Sequence, residues 1–379
     1  MQVAVSKKDL VRVVARCQGV ADKKSTMPVL GNVLLEVDGT DSVRLAATDL
    51  NLAVSGRIQA EVQKGGSIAV GAKDLFERVK MMPEGLLTIA TTDSSSATLR
   101  AASSARRYTL HGIPGDEFPA IPQPDPQAAA HALSVDVLGQ LISRTHFSIS
   151  TDDTRLHLNS ALFEWEGSRV RMVTTDGHRL SKMEATVSGK HAASTMLIPL
   201  KGVQELRRLC DEVRAEGKTE GAEAAEIGLL QSGPNAFFRI PGMQLSVKLV
   251  DAQFPPYQQV IPQAPDRSVV APRLALVDAL RAVSIAASDR TGGVKLTLTR
   301  GTMRFSSESP DSGEGFDEVS VDYDGVDLTI GFNARYFLDV LGALDEDKVE
   351  IGIGGELDPV VIRPHGSGDY LAVVMPMRI

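Results

Sequence analysis

The sequence predicts an α+β protein made of three copies of one unit, each holding two amphipathic helices and short antiparallel strands. Two observations carry this expectation. The order helix, strands, helix, three strands recurs three times along the 379 residues, and a fixed period of that kind marks a repeat architecture. A chain this long also exceeds what one hydrophobic core supports. Each copy of about 125 residues is large enough for a core of its own.

The first copy opens with "KKDLVRVVARCQGV", which places Leu10, Val13, Val14 and Cys17 on one helical face. Ser6, with Asp9 three residues on, is the expected cap. The alternating stretch "VRLAATDLNLAVSG" comes next and predicts strands around a turn. A second helix, "AKDLFERVKMMPEG", aligns Leu75, Val79 and Met82, and the strands "LLTIATT", "ATLRAAS" and "RRYTLHG" complete the copy.

The second copy repeats the order. Val135, Leu138 and Ile142 phase its first helix, "VRMVTTDGHRLSKME" supplies strands, and Val203, Leu206 and Cys210 phase its second helix. "AEIGLLQ", "NAFFRIP" and "QLSVKLV" then read as strands. In the third copy the helices are marked by Leu276, Leu280 and Val283, and by Phe337, Leu341 and Leu344 behind a cap at Asn333. Its strands are "KVEIGIG", "DPVVIRP" and "YLAVVMP". The second helices begin near Lys73, Lys201 and Asn333, 128 and 132 positions apart. Proline-rich connectors around 119–128 and 255–266 set the boundaries. The domains expected are 1–126, 127–264 and 265–379.

Composition narrows the function classes. No apolar run reaches membrane-span length, and the start lacks a signal-peptide core, so a cytoplasmic protein is expected. Cys17 and Cys210 stand far apart on apolar helix faces, which predicts buried packing rather than a disulfide or metal site. A net charge of −8 argues against indiscriminate nucleic-acid binding. The charge is nevertheless uneven. Residues 7–24 carry six basic and two acidic side chains, whereas 308–327 carry eight acids and no base. The second helices add Lys73, Arg78 and Lys80, then Lys201, Arg207, Arg208 and Arg214. On one shared surface these would form a sequence-blind track for phosphates.

Catalytic chemistry finds little support. Asp176 and His178 in "TTDGHRL" are the best acid–base pair, but Asp-Gly is first a turn signal, and the first copy has "ATDLNL" there without the histidine. "GIGGE" at 352–356 lies between strands without a following helix or a Walker lysine, so a turn is expected. No catalytic residue, metal or cofactor is expected. The chain ends on "LAVVMPMRI". This apolar tail is either a core strand or a surface for another molecule, and Pro376 disfavours a strand because it cannot donate to a ladder.

These residues together resemble a known family. The three-fold pattern, "TTDGHRL", "FPPYQQVIP", "IGFNARYFLDVL" and the terminal "VVMPMRI" are similar to the bacterial replicative sliding clamps, the beta subunits of DNA polymerase III, over the whole chain. The resemblance implies three clamp-type domains and a head-to-tail homodimer closed into a six-domain ring. Helices would line the hole and sheets the outer wall. It also implies a non-catalytic processivity factor that encircles duplex DNA and tethers the replicative polymerase alpha subunit. An ATP-powered clamp loader would open the ring, other replication and repair proteins would share the pocket, and the protein would work on the nucleoid.

Carried over by position, the partner-peptide pocket would be Leu158, Thr175, Gly177, His178, Arg179, Leu180, Pro255, Val260, Asn333, Tyr336, Val373, Val374, Met375, Pro376, Met377 and Arg378. The DNA-binding positions would be Lys24, Arg155, Lys201 and Arg208. The dimer joint would set Tyr108 and Leu110 against the helix end at Ile285. Gln259 stands where relatives often have arginine and Thr291 where an aromatic is familiar, which alters the pocket rim. Leu156 and His157 stand where relatives can carry tyrosines. The competing expectations are a peptide-binding scaffold that does not close on DNA, to be told apart by solution mass, and a hydrolase using His178 and Asp176, to be told apart by replacing His178.

Overall fold

The computed structural model describes residues 1–378 apart from 93–94, 221–224, 264, 266, 289–291 and 311–312. The first copy runs β1 (Gln2–Ser6), α1 (Lys7–Val20), β2 (Asn32–Asp38), β3 (Ser42–Thr48), β4 (Leu52–Lys64), β5 (Ser67–Gly71), α2 (Ala72–Met81), β6 (Leu86–Thr91), β7 (Ser96–Ala101) and β8 (Arg107–Pro114). The second runs β9 (His131–Ser134), α3 (Val135–Ser143), β10 (Ser160–Thr175), β11 (Arg179–Pro199), α4 (Leu200–Glu220), β12 (Glu226–Ser232), β13 (Asn235–Ile240) and β14 (Met243–Lys248). The third runs β15 (Arg267–Pro272), α5 (Arg273–Ser284), β16 (Gly293–Thr299), β17 (Thr302–Ser309), β18 (Gly313–Ser320), β19 (Leu328–Asn333), α6 (Ala334–Gly342), β20 (Lys348–Ile353), β21 (Val360–Pro364) and β22 (Tyr370–Val374).

The helices bury the faces that their periodicity marks. Leu10, Val13, Val14 and Cys17 of α1 are all fully enclosed, as are Val203, Leu206 and Cys210 of α4. Within each copy the two helices pack on one another. Both cysteines are free, and burial pushes each thiol up to about 12, as inert core thiols require. At Gly56 of β4 a Cβ would come within 2.6 Å of Val13, so glycine lets α1 lie close against the sheet. One local expectation fails. Ser6 sits at the N-cap of α1, but its side chain makes no capping hydrogen bond. Asn333 does cap α6, accepting from the Arg335 N–H at 2.9 Å, and Ser134 caps α3 in the same manner.

The sheets do not stop where the copies do. Among the described residues one sheet has the order β1-β6-β7-β8-β5-β2-β3-β4-β14-β13-β12-β9, so β14 of the second copy extends the first copy's sheet through β4, with Leu245 opposite Val54. A second sheet runs β10-β11-β22-β21-β20-β15, and a third runs β18-β17-β16-β19. The chain accordingly forms two compact units, Met1–Leu133 with Glu226–Leu249, and Ser134–Ala225 with Val250–Ile379.

The core-strand alternative holds for the tail as far as Val374. β22 is a fully buried strand, paired to β11 on one side and β21 on the other. Both of its faces are covered, which accounts for a continuous rather than alternating apolar run. Pairing ends at Val374, before Pro376. "GIGGE" is a turn closed by the Gly355 N–H donating to Asp358 at 2.6 Å.

Candidate functional site

The second unit contains a cavity of about 280 Å³ built from four segments. The turn between β10 and β11 supplies Thr175, Gly177, Arg179 and Leu180. The proline-rich connector supplies Pro255, Pro256, Tyr257, Gln259 and Val260, and β22 with its extension supplies Val373 and Met375. His157 and Leu158, just before β10, complete the lining.

Each wall has a local cause. The turn is held by its own side chains: Thr175 Oγ1 donates to the Arg179 carbonyl at 2.7 Å, and Asp176 Oδ1 accepts from the N–H groups of His178 and Arg179 at 2.9 and 3.0 Å. Gly177 has φ +92°, a conformation that favours glycine. The connector wall rests on Tyr257, whose hydroxyl donates to Glu164 at 2.9 Å and accepts from Arg171 at 3.2 Å. Burial first, and then the Glu164 carboxylate, push this phenol up to about 12. Arg171 also binds Glu164 and Glu184. Burial raises the Glu184 carboxyl, but Arg171 and Lys182 outweigh it and hold it low. Beneath these walls Leu162, Val173, Leu180, Leu197, Tyr257, Val361, Leu371 and Val373 form one apolar core cluster. The tail wall is pinned by the Met375 N–H donating to the His178 carbonyl at 2.9 Å.

Arg179 is the electrostatic centre of the wall. It is 8% exposed. Its guanidinium donates to Asp176 at 3.0 Å, to Asp339 at 2.6 Å and to the Phe147 carbonyl at 2.5 Å. It also lies 4.6 Å above the Tyr336 ring and 5.5 Å from that of Phe147. Tyr336 in turn stacks on His178, with 6.4 Å between centroids. Asp176 therefore has both oxygens engaged in holding the turn, and this accounts for "TTDGHRL" without acid–base chemistry.

Of the residues expected in the pocket, Leu158, Thr175, Gly177, Arg179, Leu180, Pro255, Val260, Val373 and Met375 meet at this cavity. The others do not line it. Val374 is buried on the strand opposite Arg179, Asn333 is spent as a helix cap, and His178 and Tyr336 stand behind Arg179. Met377 and Arg378 line a different hollow of about 650 Å³, together with Lys295, Glu308, Glu314 and Phe316. The Met377 N–H is drawn there by the Gly331 carbonyl at 2.8 Å. Gln259, expected at the rim, lines the cavity, and His157, Pro256 and Tyr257 line it without having been expected to. The phrase "FPPYQQVIP" was the signal for Pro256 and Tyr257. Thr291 lies outside the described residues. A further hollow of about 440 Å³ in the first unit is bordered by the Arg44–Glu36 and Arg57–Asp38 pairs.

The basic positions are exposed but partly neutralised. Arg155 pairs with Asp152 at 2.8 Å and Arg208 with Glu205 at 2.9 Å, while Lys24 and Lys201 are exposed. Arg214 folds back onto Asp136 at 2.8 Å, and Arg207 donates to His146 at 2.7 Å. The bare track expected of α4 is thus narrower than its composition suggests. At the expected joint, Ile285 is 82% exposed, but Leu110 is only 3% exposed and belongs to its own sheet's core. Of the two β8 residues, Tyr108 is the more accessible. Residues 107–111 of β8 pair with β7 along one side, and among the described residues no strand pairs their other side, since β5 takes up β8 only at 112–114; β18 is the edge of its sheet.

A three-domain chain of helices and sheets, with an apolar cavity walled by a turn, a connector and a tail, defines a class: the clamp-type proteins of DNA replication. Three family profiles cover nearly all of it: DNA polymerase III beta subunit, N-terminal domain, over 1–122; central domain, over 132–256; and C-terminal domain, over 258–378. The beta sliding clamp of Pseudomonas putida is 32% identical over 384 residues, covering all of both chains. That of Escherichia coli is 30% identical over 382, again with full coverage. The crystal structure of the Pseudomonas aeruginosa DNA polymerase III beta subunit superposes with a TM-score of 0.91 at 30% identity, over the whole of each chain. Another structure of that clamp holds griselimycin. The chain belongs to the DNA polymerase III beta subunit family, the bacterial beta sliding clamps, which are non-catalytic processivity factors.

Proposed function

We propose that two copies of this chain close head to tail around duplex DNA, and that the cavity holds the replicative polymerase alpha subunit on the ring. The observation that carries the tethering half is the cavity itself: pre-formed, mostly apolar and rimmed by a few polar groups. Such a hollow suits a short extended segment with one or two apolar anchors and a polar lead. Clamp loader and repair proteins would compete for it by the same chemistry. The domains are 1–126, 127–264 and 265–379, and the protein acts in the cytoplasm on the nucleoid.

The ring half is supported by complementary sheet edges. Open edges invite pairing. β8 offers Tyr108 with Arg106 and Arg107 beside it, while β18 offers Glu314, Asp317 and Glu318 with Phe316 and Ile285 exposed. A second copy satisfies both edges, and a heterologous contact of this kind closes when the rotation allows. Lys24, Arg155, Lys201 and Arg208 would meet phosphates without reading bases.

Calorimetry with a peptide from the replicative polymerase, run beside light scattering, tests both halves. The expected result is micromolar-range binding to a particle of twice the chain mass of 40.5 kDa. A monomer that binds the peptide would favour the non-encircling scaffold. Charge reversal at Lys24, Lys201 and Arg208 is expected to leave the dimer mass unchanged while each lost contact lowers the DNA salt slope by about one. An unchanged slope would remove these residues from the DNA path.

A further inference from the structure

We propose that Asp339, on α6 and outside the cavity lining, is a positioning residue for the partner cavity, acting through Arg179. The inference rests on the peptide-binding reading above and deepens it.

Arg179 occupies a position that is nearly closed to solvent, and a buried guanidinium needs charge and acceptors around it. Asp176 provides one carboxylate, but it lies in the same turn and cannot tie that turn to anything else. The partners that do so are the Phe147 carbonyl and Asp339. Of these only Asp339 carries charge. Tyr336 and Asp339 lie three apart on α6 and so share a face. Together they present a ring beneath the guanidinium and a carboxylate at its edge. Arg335 also approaches Asp339, at 3.8 Å, but its side chain is 82% exposed, so Arg179 is the stronger partner.

The consequence is mechanical. Thr175, Gly177, Arg179 and Leu180 form one wall of the cavity, and among the described residues the Arg179–Asp339 pair is that wall's one charged anchor to α6. With the pair intact the turn is fixed before a peptide arrives, and no ordering cost falls on binding. Without it, Arg179 retains Asp176 and the Tyr336 ring and the turn keeps its own hydrogen bonds, but the wall loses its charged tie to the helix.

Titration of the polymerase-derived peptide into the full-length dimer tests this. Asp339→Ala is expected to weaken affinity roughly tenfold, within the range of coupling between contacting residues. Asp339→Glu, which keeps a carboxylate, is expected to recover most of that. Both should keep the dimer mass. In an Arg179→Leu background the Asp339→Ala change should have no further effect, which a general loss of stability would not produce. Asp339→Asn serves the same purpose if the alanine variant melts early. Native affinity in Asp339→Ala, or an equal loss in the Arg179→Leu background, would overturn the inference while leaving the cavity's role intact. Failure of the unmodified protein to take up the peptide would instead overturn the cavity's role, and the inference with it.

Discussion

The turn at Thr48–Leu52 and the turn at Thr175–Arg179 share one hydrogen-bond frame and do different things. In each, a threonine hydroxyl donates to the carbonyl four residues on, at 2.7 Å in both cases. In each, an aspartate oxygen accepts from the next two free N–H groups, those of Asn51 and Leu52 in one, and of His178 and Arg179 in the other. In each, the residue after the aspartate has positive φ, +75° at Leu50 and +92° at Gly177. The two part at the residue that closes the turn. Leu52 is 1% exposed and simply fills the core, whereas the matching position in the second copy is Arg179. Threonine and aspartate are therefore scaffold, and one apolar-to-arginine difference, with Asp339 and Tyr336 to receive it, separates a plain turn from a cavity wall.

The largest expected effect comes from the tail that faces the second turn. Removing Met375–Ile379 is expected to abolish peptide binding while leaving β22, the dimer mass and the fold in place. Removing only Pro376–Ile379 is expected to change affinity by no more than about threefold, since contacts beyond the lining are near neutral. Calorimetry on both truncations decides it. Full affinity without Met375 would reduce the tail to a core strand.

Next in size is the shared aspartate. Asp176→Ala leaves the buried Arg179 short of a carboxylate and is expected to cost about 3 kcal/mol, read as a fall in thermal midpoint. Asp49→Ala loses the turn hydrogen bonds to the Asn51 and Leu52 N–H groups and is expected to cost about 1 kcal/mol. Equal losses would mean that Arg179 adds nothing to the frame.

The smallest effects concern φ. Gly177→Ala meets no atom within 4 Å, so its expected cost of about 1 kcal/mol is backbone strain alone. Leu50→Gly releases the same strain at a half-exposed site. Its midpoint should stay level or rise, where a buried leucine would give a fall.

The contrast also marks how much could be read in advance. Among the described residues, all six α-helices and their buried faces were legible, because a 3.6-residue period such as that of Leu10, Val13, Val14 and Cys17 has only one inward-facing solution. The joining of β4 to β14 and of β11 to β22 was not, since strand partners between copies leave no local period. Most of the cavity was legible by resemblance. The departure of Met377 and Arg378 was not, because it depends on the Gly331 carbonyl across space. Nor was Leu110, whose side is set by the register of β8 on β7. Asp339 was hidden for a related reason: on α6 it looks like any exposed helical acid until Arg179 is placed beside it.

The central claim is topological, and retention on DNA tests it most directly. Protein loaded onto nicked circular duplex should remain bound through a high-salt wash, and linearising the same DNA should release it from the free ends. Equal retention on circular and linear DNA would contradict the ring.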